Sequence, residues 1–329
     1  MFASTLCARN SHRERLLETP KIVVVGSVNI DHTVKVGALP KPGETIMSRS
    51  SGYSLGGKGF NQAVSARRFG GEVALIARVG RDPSSETALA SLDAEGVERM
   101  HVAFDEDLGA GSAVVVVADD DQNMIVVSPG ANGRLDQKQI QDAASMIGRS
   151  RTVVAQLETP IEAAVEAFAL ARAHRVRTIL NPAPAAKAAI GMLDLVDIVT
   201  PNFTELCALT EMDLDEGDDC LRRGMQTMVE RGVRQVVVTL GRDGCAAWDG
   251  DRYWRLPAFP AAAVDPTGAG DVFNGVLAAA LTEGMPLAAG LLHASAAAAL
   301  SVAVPTANCA PERARIEKRL ADGDRPSFL

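Results

Sequence analysis

The sequence predicts an α/β fold: a mostly parallel central sheet flanked by helices, with a small β-sheet lid. Three observations carry that reading. Residues 21–27, KIVVVGS, are a continuous β-branched run, the pattern of a strand buried on both faces. From Leu135 onward, helical and strand patterns alternate, which implies βα units and a parallel sheet. Two stretches, 31–55 and 112–128, instead carry short alternating strands broken by turn residues.

Taken in order, residues 21–27 give the first strand. Residues 31–55 contain Pro40, Pro42, Gly43 and Gly52 and lack helical periodicity, so they read as short antiparallel strands away from the main sheet. Residues 58–69 have helical spacing, with Gly70-Gly71 as the stop. A strand at 73–78 and a helix at 84–95, ended by Gly96, follow. Strands at 112–118 and 124–128 flank Asp119-Asp120-Asp121-Gln122-Asn123 and read as a β-hairpin that completes the lid. Strands at 152–156, 178–180, 198–200 and 235–239 then alternate with helices, among them 160–174 and 218–231. The C-terminal third is helical, at 269–282, 287–304 and 311–320. No repeat or low-complexity linker divides the chain, so residues 21–329 read as one domain. Residues 1–20 lack a continuous apolar segment and read as a disordered extension rather than a secretory signal.

Composition excludes several classes of function. Of 329 residues, 47% are hydrophobic, enough for a large core, so wholesale disorder is excluded. The net charge of −8 argues against general nucleic-acid binding, and 4% aromatic residues argue against base-stacking surfaces. The five cysteines (Cys7, Cys207, Cys220, Cys245 and Cys309) are scattered and form no CxxC, which fits a reducing cytoplasm rather than a disulfide or zinc scaffold. No apolar run is long enough to span a bilayer; the Ala-rich stretch 294–304 is too short and Pro305 ends it.

Three polar clusters fall at strand ends or helix starts, where open α/β sheets bind ligands. The strongest is Val264-Asp265-Pro266-Thr267-Gly268-Ala269-Gly270-Asp271, after the apolar segment 258–264 and at the start of the helix 269–282. Its small residues let backbone N–H groups approach an anion, and the helix N-terminus adds partial positive charge. Asp271, in the first turn, is placed to accept a proton from an attacking hydroxyl. The second cluster is Gly56-Gly57-Lys58-Gly59-Phe60-Asn61-Gln62-Ala63. It is no P-loop, because Gly59 stands where that motif needs Ser or Thr for Mg²⁺. Backbone, Lys58 and Asn61 contacts to a polyhydroxylated substrate suit it better. The third is Thr200-Pro201-Asn202-Phe203-Thr204-Glu205, whose amide and carboxylate lie on one face of a helical turn and suit Mg²⁺ held through water. Each cluster alone is also an ordinary helix entry. Asn29 and Asp31, Glu158, Asn181-Pro182-Ala183-Pro184 and Thr239–Gly244 add further polar strand ends, which one cleft would collect.

Together, and in this order, these clusters resemble the ribokinase family of carbohydrate kinases (the PfkB type), over nearly all of the chain from Lys21. The stretches that carry the resemblance are Gly26-Ser-Val-Asn-Ile-Asp-His32, Pro42-Gly-Glu-Thr45, Gly56–Ala63, Ser128-Pro-Gly-Ala-Asn132, Gln156-Leu-Glu158, Asn181–Pro184, Thr200-Pro-Asn202-x-x-Glu205 and Asp265–Gly275. The resemblance implies phosphorylation of a sugar primary hydroxyl by ATP with Mg²⁺; for the ribokinase branch, which looks most similar, that is the 5-hydroxyl of D-ribose. It implies sugar contacts from Asn29, Asp31, Gly57, Lys58, Asn61 and Glu158, with Asp271 as the base. Gly268, Ala269 and Gly270 would stabilise the transferring phosphoryl group. Asn202, Thr239, Gly241, Gly244, Gly270 and Ser295 would line the ATP site, and Glu205 would organise Mg²⁺ through water. A K⁺ activator would sit among Asp265, Thr267, Ser301, Val304, Thr306 and Ala310. The lid would close over the sugar and pair two copies into a homodimer. This sequence departs from the family pattern in two places: Ser295 stands where Asn or His is usual, and Thr306 and Ala310 replace the loop's usual Gly and Ser. Fructose, a sugar acid or a nucleoside remain alternative substrates, and a catalytically dead sensor is the alternative from a different class.

Overall fold

The computed structural model describes residues 21–120, 122–213, 217–304, 309–322 and 326–328. The extension read at 1–20, Cys7, Asp121, Pro305 and Thr306 lie outside them. The main sheet has nine strands. In sequence they are β1 (Ile22–Val25), β4 (Val73–Val79), β5 (Val102–Phe104), β8 (Thr152–Ala155), β9 (Arg177–Leu180), β10 (Ile198–Val199), β11 (Gln235–Thr239), β12 (Cys245–Trp248) and β13 (Tyr253–Leu256). Their spatial order is β13-β12-β11-β10-β9-β8-β1-β4-β5. All pairs are parallel except β11/β12 and β12/β13.

Helices cover both faces, as continuous apolar strands require. On β1, Ile22 and Val24 join the core that includes Phe60, Phe69 and Val276, while Val23 and Val25 join the opposite core with Ile140, Phe168 and Met225. The first face carries α1 (Lys58–Arg68), α8 (Ala269–Thr282) and α9 (Leu287–Ser301). The second carries α3 (Gln137–Asp142), α4 (Ala144–Arg149), α5 (Ile161–Ala173), α6 (Phe203–Thr210) and α7 (Gly217–Glu230). The remaining helices are α2 (Pro83–Glu95) and α10 (Arg313–Ala321). In α2, Asp82 caps the N-terminus by accepting from Ser84 and Ser85 N–H, and left-handed Gly96 (φ 72°) ends the helix.

The lid is a separate four-stranded sheet, β3-β2-β6-β7, built from β2 (Asn29–Val36), β3 (Ser50–Gly56), β6 (Gly111–Ala118) and β7 (Asn123–Ser128). The structure corrects the expectation of an all-antiparallel lid. Its two hairpins join through β2 and β6, which run parallel. Three main-sheet strands, β5, β12 and β13, escape the sequence pattern: they are only three or four residues long, and β12 (CAAW) is mostly small residues. The apolar segment 258–264 forms no strand. Only Phe259 in it is buried and Val264 is 64% exposed, so α8 is entered from a loop. That loop is pinned instead by Val264 and Asp265 N–H, both donating to Val302 O at the end of α9.

Candidate active site

The site assembles where β1, β8, β9, β10 and β11 end. Gly57 has φ 86°, and from it α1 starts against the end of β1, with Phe60 N–H donating to Ser27 O (2.9 Å). Glu158, just past β8, ties the two walls together: its Oε2 accepts from Ser27 Oγ (2.6 Å) and Lys58 N–H (3.0 Å). Asn29 Oδ1 accepts from Asn132 Nδ2 (2.7 Å), which also donates to Val28 O, so the first residue of the lid is held rigidly at the site.

Asp271 is buried in the first turn of α8. Its Oδ2 accepts from Asn61 Nδ2 and its Oδ1 from Gln62 Nε2, each at 3.0 Å. Gln62 Nε2 also donates to Asn181 Oδ1, and Gln62 Oε1 accepts from Gln156 Nε2. Asn181 Nδ2 in turn reaches Thr200 O, and Thr200 Oγ1 donates to Asn274 Oδ1 (2.5 Å). An amide network thus spans the ends of β8, β9 and β10 and fixes the carboxylate of Asp271. Beside it is a cavity of about 200 Å³ lined by Lys58, Asn181, Asn202, Glu205, Gly270 and Asp271, among others. Lys58 is the one cationic side chain on its wall among the described residues. Asp271, Glu158, Glu205 and Asp31 hold the Lys58 ammonium above the usual lysine range, with Asp271 contributing most and burial opposing.

Two carboxylates are shifted upward. Burial, then the neighbouring Glu158 and Asp271, push Asp31 up to about 6, with Lys58 opposing. Burial also raises Glu205, against the hydrogen bond from Asn202 N–H and the charge of Lys58. Beside Lys58, Asp31 Oδ1 and Asn61 Oδ1 are buried acceptors with no protein partner among the described residues. Such orphans call for donors from a ligand, and hydroxyl groups supply them.

Most of the expected residues converge here. Gly268, Gly270, Thr239, Asn202 and Glu205 line the cavity; Thr239 N–H donates to Pro201 O, which seats the start of α6. Asn202 and Glu205 also form a reciprocal capping box, Glu205 N–H to Asn202 Oδ1 (2.7 Å) and Asn202 N–H to Glu205 Oε2 (2.9 Å). The helix-entry and ligand roles therefore coexist, and the cap consumes Oε2. Other expected residues stand off the cavity wall. Ala269 N–H is spent on Pro266 O (3.2 Å), which leaves Gly270 and Asp271 as the first-turn donors without a helical acceptor. Ser295 is buried with its hydroxyl against Cys245 Sγ (3.8 Å), off the cavity wall. Gly241 and Gly244 shape a one-turn 3₁₀ segment behind Thr239 and do not line the cavity. Ala310 O accepts from Arg68 Nη1 (2.8 Å), and a guanidinium on that oxygen disfavours a bound K⁺. Of the other K⁺ residues, Thr267 N–H donates to Asp265 Oδ1, while Ser301 O accepts from Val304 N–H.

Sequence reasoning gave no individual role to Ser27, Gln62, Asn132 or Asn274, and placed Asn181 and Thr200 only as members of polar strand-end clusters. All six lie inside the quoted stretches, so a signal existed; the pairings, up to 210 residues apart along the chain for Asn61 and Asp271, did not show. Gln62 acts as a positioning residue. Its orientation is fixed because a carboxylate only accepts, so Nε2 must face Asp271. Gln62→Met is expected to lower kcat by about 10²-fold, the order for a misplaced reacting group, with a smaller change in sugar KM. An equal loss in kcat and in sugar affinity would leave Gln62 a purely structural role.

A family model, pfkB family carbohydrate kinase, matches residues 19–313. The chain belongs to the pfkB family of carbohydrate kinases. As a member it is a sugar kinase, a phosphotransferase. It is 34% identical over 281 residues to a ribokinase of Haemophilus influenzae, covering 85% of this chain and 92% of that protein. It is 36% identical over 299 residues to a bifunctional ribokinase/ribose-5-phosphate isomerase A of Fructilactobacillus sanfranciscensis; that match covers 90% of this chain and 55% of the relative. Among solved structures, the Arabidopsis thaliana ribokinase complexed with ribose and ATP superposes with a TM-score of 0.87 at 32% identity, covering 93% of this chain and all of that one. No helix among the described residues is long and apolar enough to cross a membrane.

Proposed function

We propose that this pfkB kinase is an ATP-dependent ribokinase, transferring the γ-phosphoryl group of ATP to the 5-hydroxyl of D-ribose. The observation that carries this is the convergence of orphaned acceptors on Asp31 and Asn61 with the amide-held carboxylate of Asp271 at the N-terminus of α8. Likeness to ribokinases over nearly the whole chain supports it.

In this mechanism Asp31, Asn61, Asn29 and Glu158 hold the sugar hydroxyls. Asp271 receives the proton of the attacking hydroxyl, and the N–H groups of Gly270 and Asp271 stabilise charge on the phosphoryl group in flight. The residues present also fit a magnesium ion. Glu205 keeps Oε1 outside its cap, and a divalent ion that retains waters and phosphate oxygens needs only one or two carboxylates. When bound, it would neutralise phosphate charge that Lys58 alone cannot balance. Closure of the lid would exclude water, which otherwise competes for ATP. A coupled ADP-release assay over pentoses, hexoses, sugar acids and nucleosides, with and without K⁺, tests the substrate. Ribose should be used best; equal rates with fructose or adenosine would leave only the family assignment standing.

The titration of Asp31 gives a further test. In the folded chain Asp31 holds its proton more tightly than the ordinary 3.8, so the stability it contributes is full below about pH 4 and is lost as pH rises through about 6. Asp31→Asn is therefore expected to raise Tm relative to the parent at pH 8, with the difference shrinking towards pH 4, and to weaken sugar binding. Parallel melting curves that keep a constant offset across this range would contradict the assignment.

The same reading includes a homodimer through the lid, in a cytoplasmic enzyme. Ile125, Val126 and Val127 on the edge strand β7 are more than half exposed, and such a strand is a pairing surface. Light scattering should give twice the chain mass, and Ile125→Lys with Val127→Lys should reduce it to that of one chain.

A further inference from the structure

A second cavity, of about 730 Å³, opens at the opposite end of the same strands. Its wall includes the first residue of β9 (Arg177) and residues leading into β10 and β11 (Asp197 and Arg234). The catalytic cavity is lined by residues at or just beyond the other ends of these three strands, Asn181, Thr200 and Thr239. Strands of two to five residues separate the two by roughly 15 Å.

The wall of the second cavity presents four arginines, Arg172, Arg175, Arg177 and Arg234, against two aspartates, Asp197 and Asp249, a formal charge of +2. This is the reverse of the whole chain, whose net charge is −8. Both aspartates have partners of their own, and Asp197 shares its other oxygen with Arg234. Asp197 Oδ2 accepts from Thr178 N–H (3.0 Å), and Asp249 Oδ1 accepts from Asp251 and Arg252 N–H within its own turn. The guanidinium groups are far from saturated. Arg172 and Arg177 each donate one Nη1 bond to a neutral carbonyl, of Asp194 and Leu281, and Arg234 meets Asp197 Oδ1 at 3.4 Å. The side chain of Arg175 has no hydrogen bond or ion pair among the described residues.

Arg175 carries a second oddity. It follows α5 as the left-handed residue (φ 60°) of the helix stop, with Arg175 N–H donating to Arg172 O and Val176 N–H to Ala171 O. Glycine is the usual residue there, and a residue with a Cβ is strained. Compensation of the helix end accounts for neither Arg177 nor Arg234, which come from other strands.

We propose that this cavity is a binding site for a small phosphate-bearing anion, separate from the catalytic site. Arginine forks match phosphate oxygens bidentately, and a locally positive cavity on an acidic chain concentrates such ligands. The shared chemistry is a phosphate ester or polyphosphate; sugar phosphates and nucleotides are the two sources.

The test is calorimetric titration of the full chain with inorganic pyrophosphate, wild type against Arg175→Gly/Arg234→Gln. Glycine at 175 removes the guanidinium and relieves the backbone, so the fold is retained, and an unchanged kinase rate with ATP and ribose as the only additions verifies it. The expected result is a binding event that weakens at least 10-fold in the variant, while any binding in the catalytic cavity persists. Indistinguishable isotherms for the two proteins would overturn the proposal. Repeating the titration with ribose 5-phosphate and with AMP identifies the source by which heat the double substitution removes.

Discussion

Replacing Asp271 with Asn is expected to cut turnover by about 10²–10⁴-fold, the usual worth of a positioned general base, while sugar binding stays measurable. The carboxylate accepts from two amide donors, Asn61 Nδ2 and Gln62 Nε2. An amide at 271 keeps one acceptor and places its own NH₂ opposite one of those donors, a mismatch that would by itself disturb the fold. Asn61 can relieve it. Its Oδ1 is a buried acceptor without a protein partner, so a flip of that amide turns Oδ1 towards the new NH₂. Gln62 has no such freedom, because both ends of its amide are engaged by Asn181 and Gln156. The substitution should therefore cost little stability and nearly all of the chemistry. Calorimetry with sugar and steady-state ADP release on the same preparation separate the two; a variant with near-normal kcat would remove Asp271 from the role of base.

The fold was legible because its strands and helices obey single-period rules. The run from Lys21 to Ser27 and the helix from Ala269 to Thr282 announce themselves by composition alone. The edge hairpin β12/β13 did not, since four-residue strands of small or mixed residues have no period to detect. The parallel join between β2 and β6 was also hidden, because pairing between separate hairpins leaves no local trace. The same division runs through the site. Lys58, Glu205 and Asp271 stand in helix starts that a sequence displays. Their supports do not: Ser27 reaches Glu158 across 131 residues and Thr200 reaches Asn274 across 74. Where a residue's role is to hold another, its signal exists only in three dimensions. Ala310 shows another limit: the resemblance aligned it with a cation-binding loop, yet its carbonyl is taken by Arg68 from a distant helix.

Gly57→Ala is expected to destabilise the protein by roughly 2–6 kcal/mol and to abolish activity, combining about 1–3 kcal/mol of backbone strain with a similar cost of overpacking. Two separate physical costs meet at this residue. Its φ of 86° disfavours any side chain, and a Cβ there would lie 2.7 Å from Asn29 N and 2.9 Å from Ser27 O. Those atoms are backbone and cannot swing aside. The segment they belong to carries Asn29 and Asp31, while Gly57 precedes Lys58, Asn61 and Gln62, so the displacement separates the two walls that carry the proposed sugar contacts. Gly43 isolates the first cost. It has nearly the same φ, 82°, and nothing within 4 Å of its virtual Cβ. Gly43→Ala should therefore pay strain alone, lowering Tm by a few degrees, while Gly57→Ala lowers it by on the order of 10 °C. Thermal melts of the pair measure the contact as the difference between them. Equal melting temperatures would mean that the β1–α1 junction yields to a methyl group, and the tight seating of α1 against that junction would have to be abandoned.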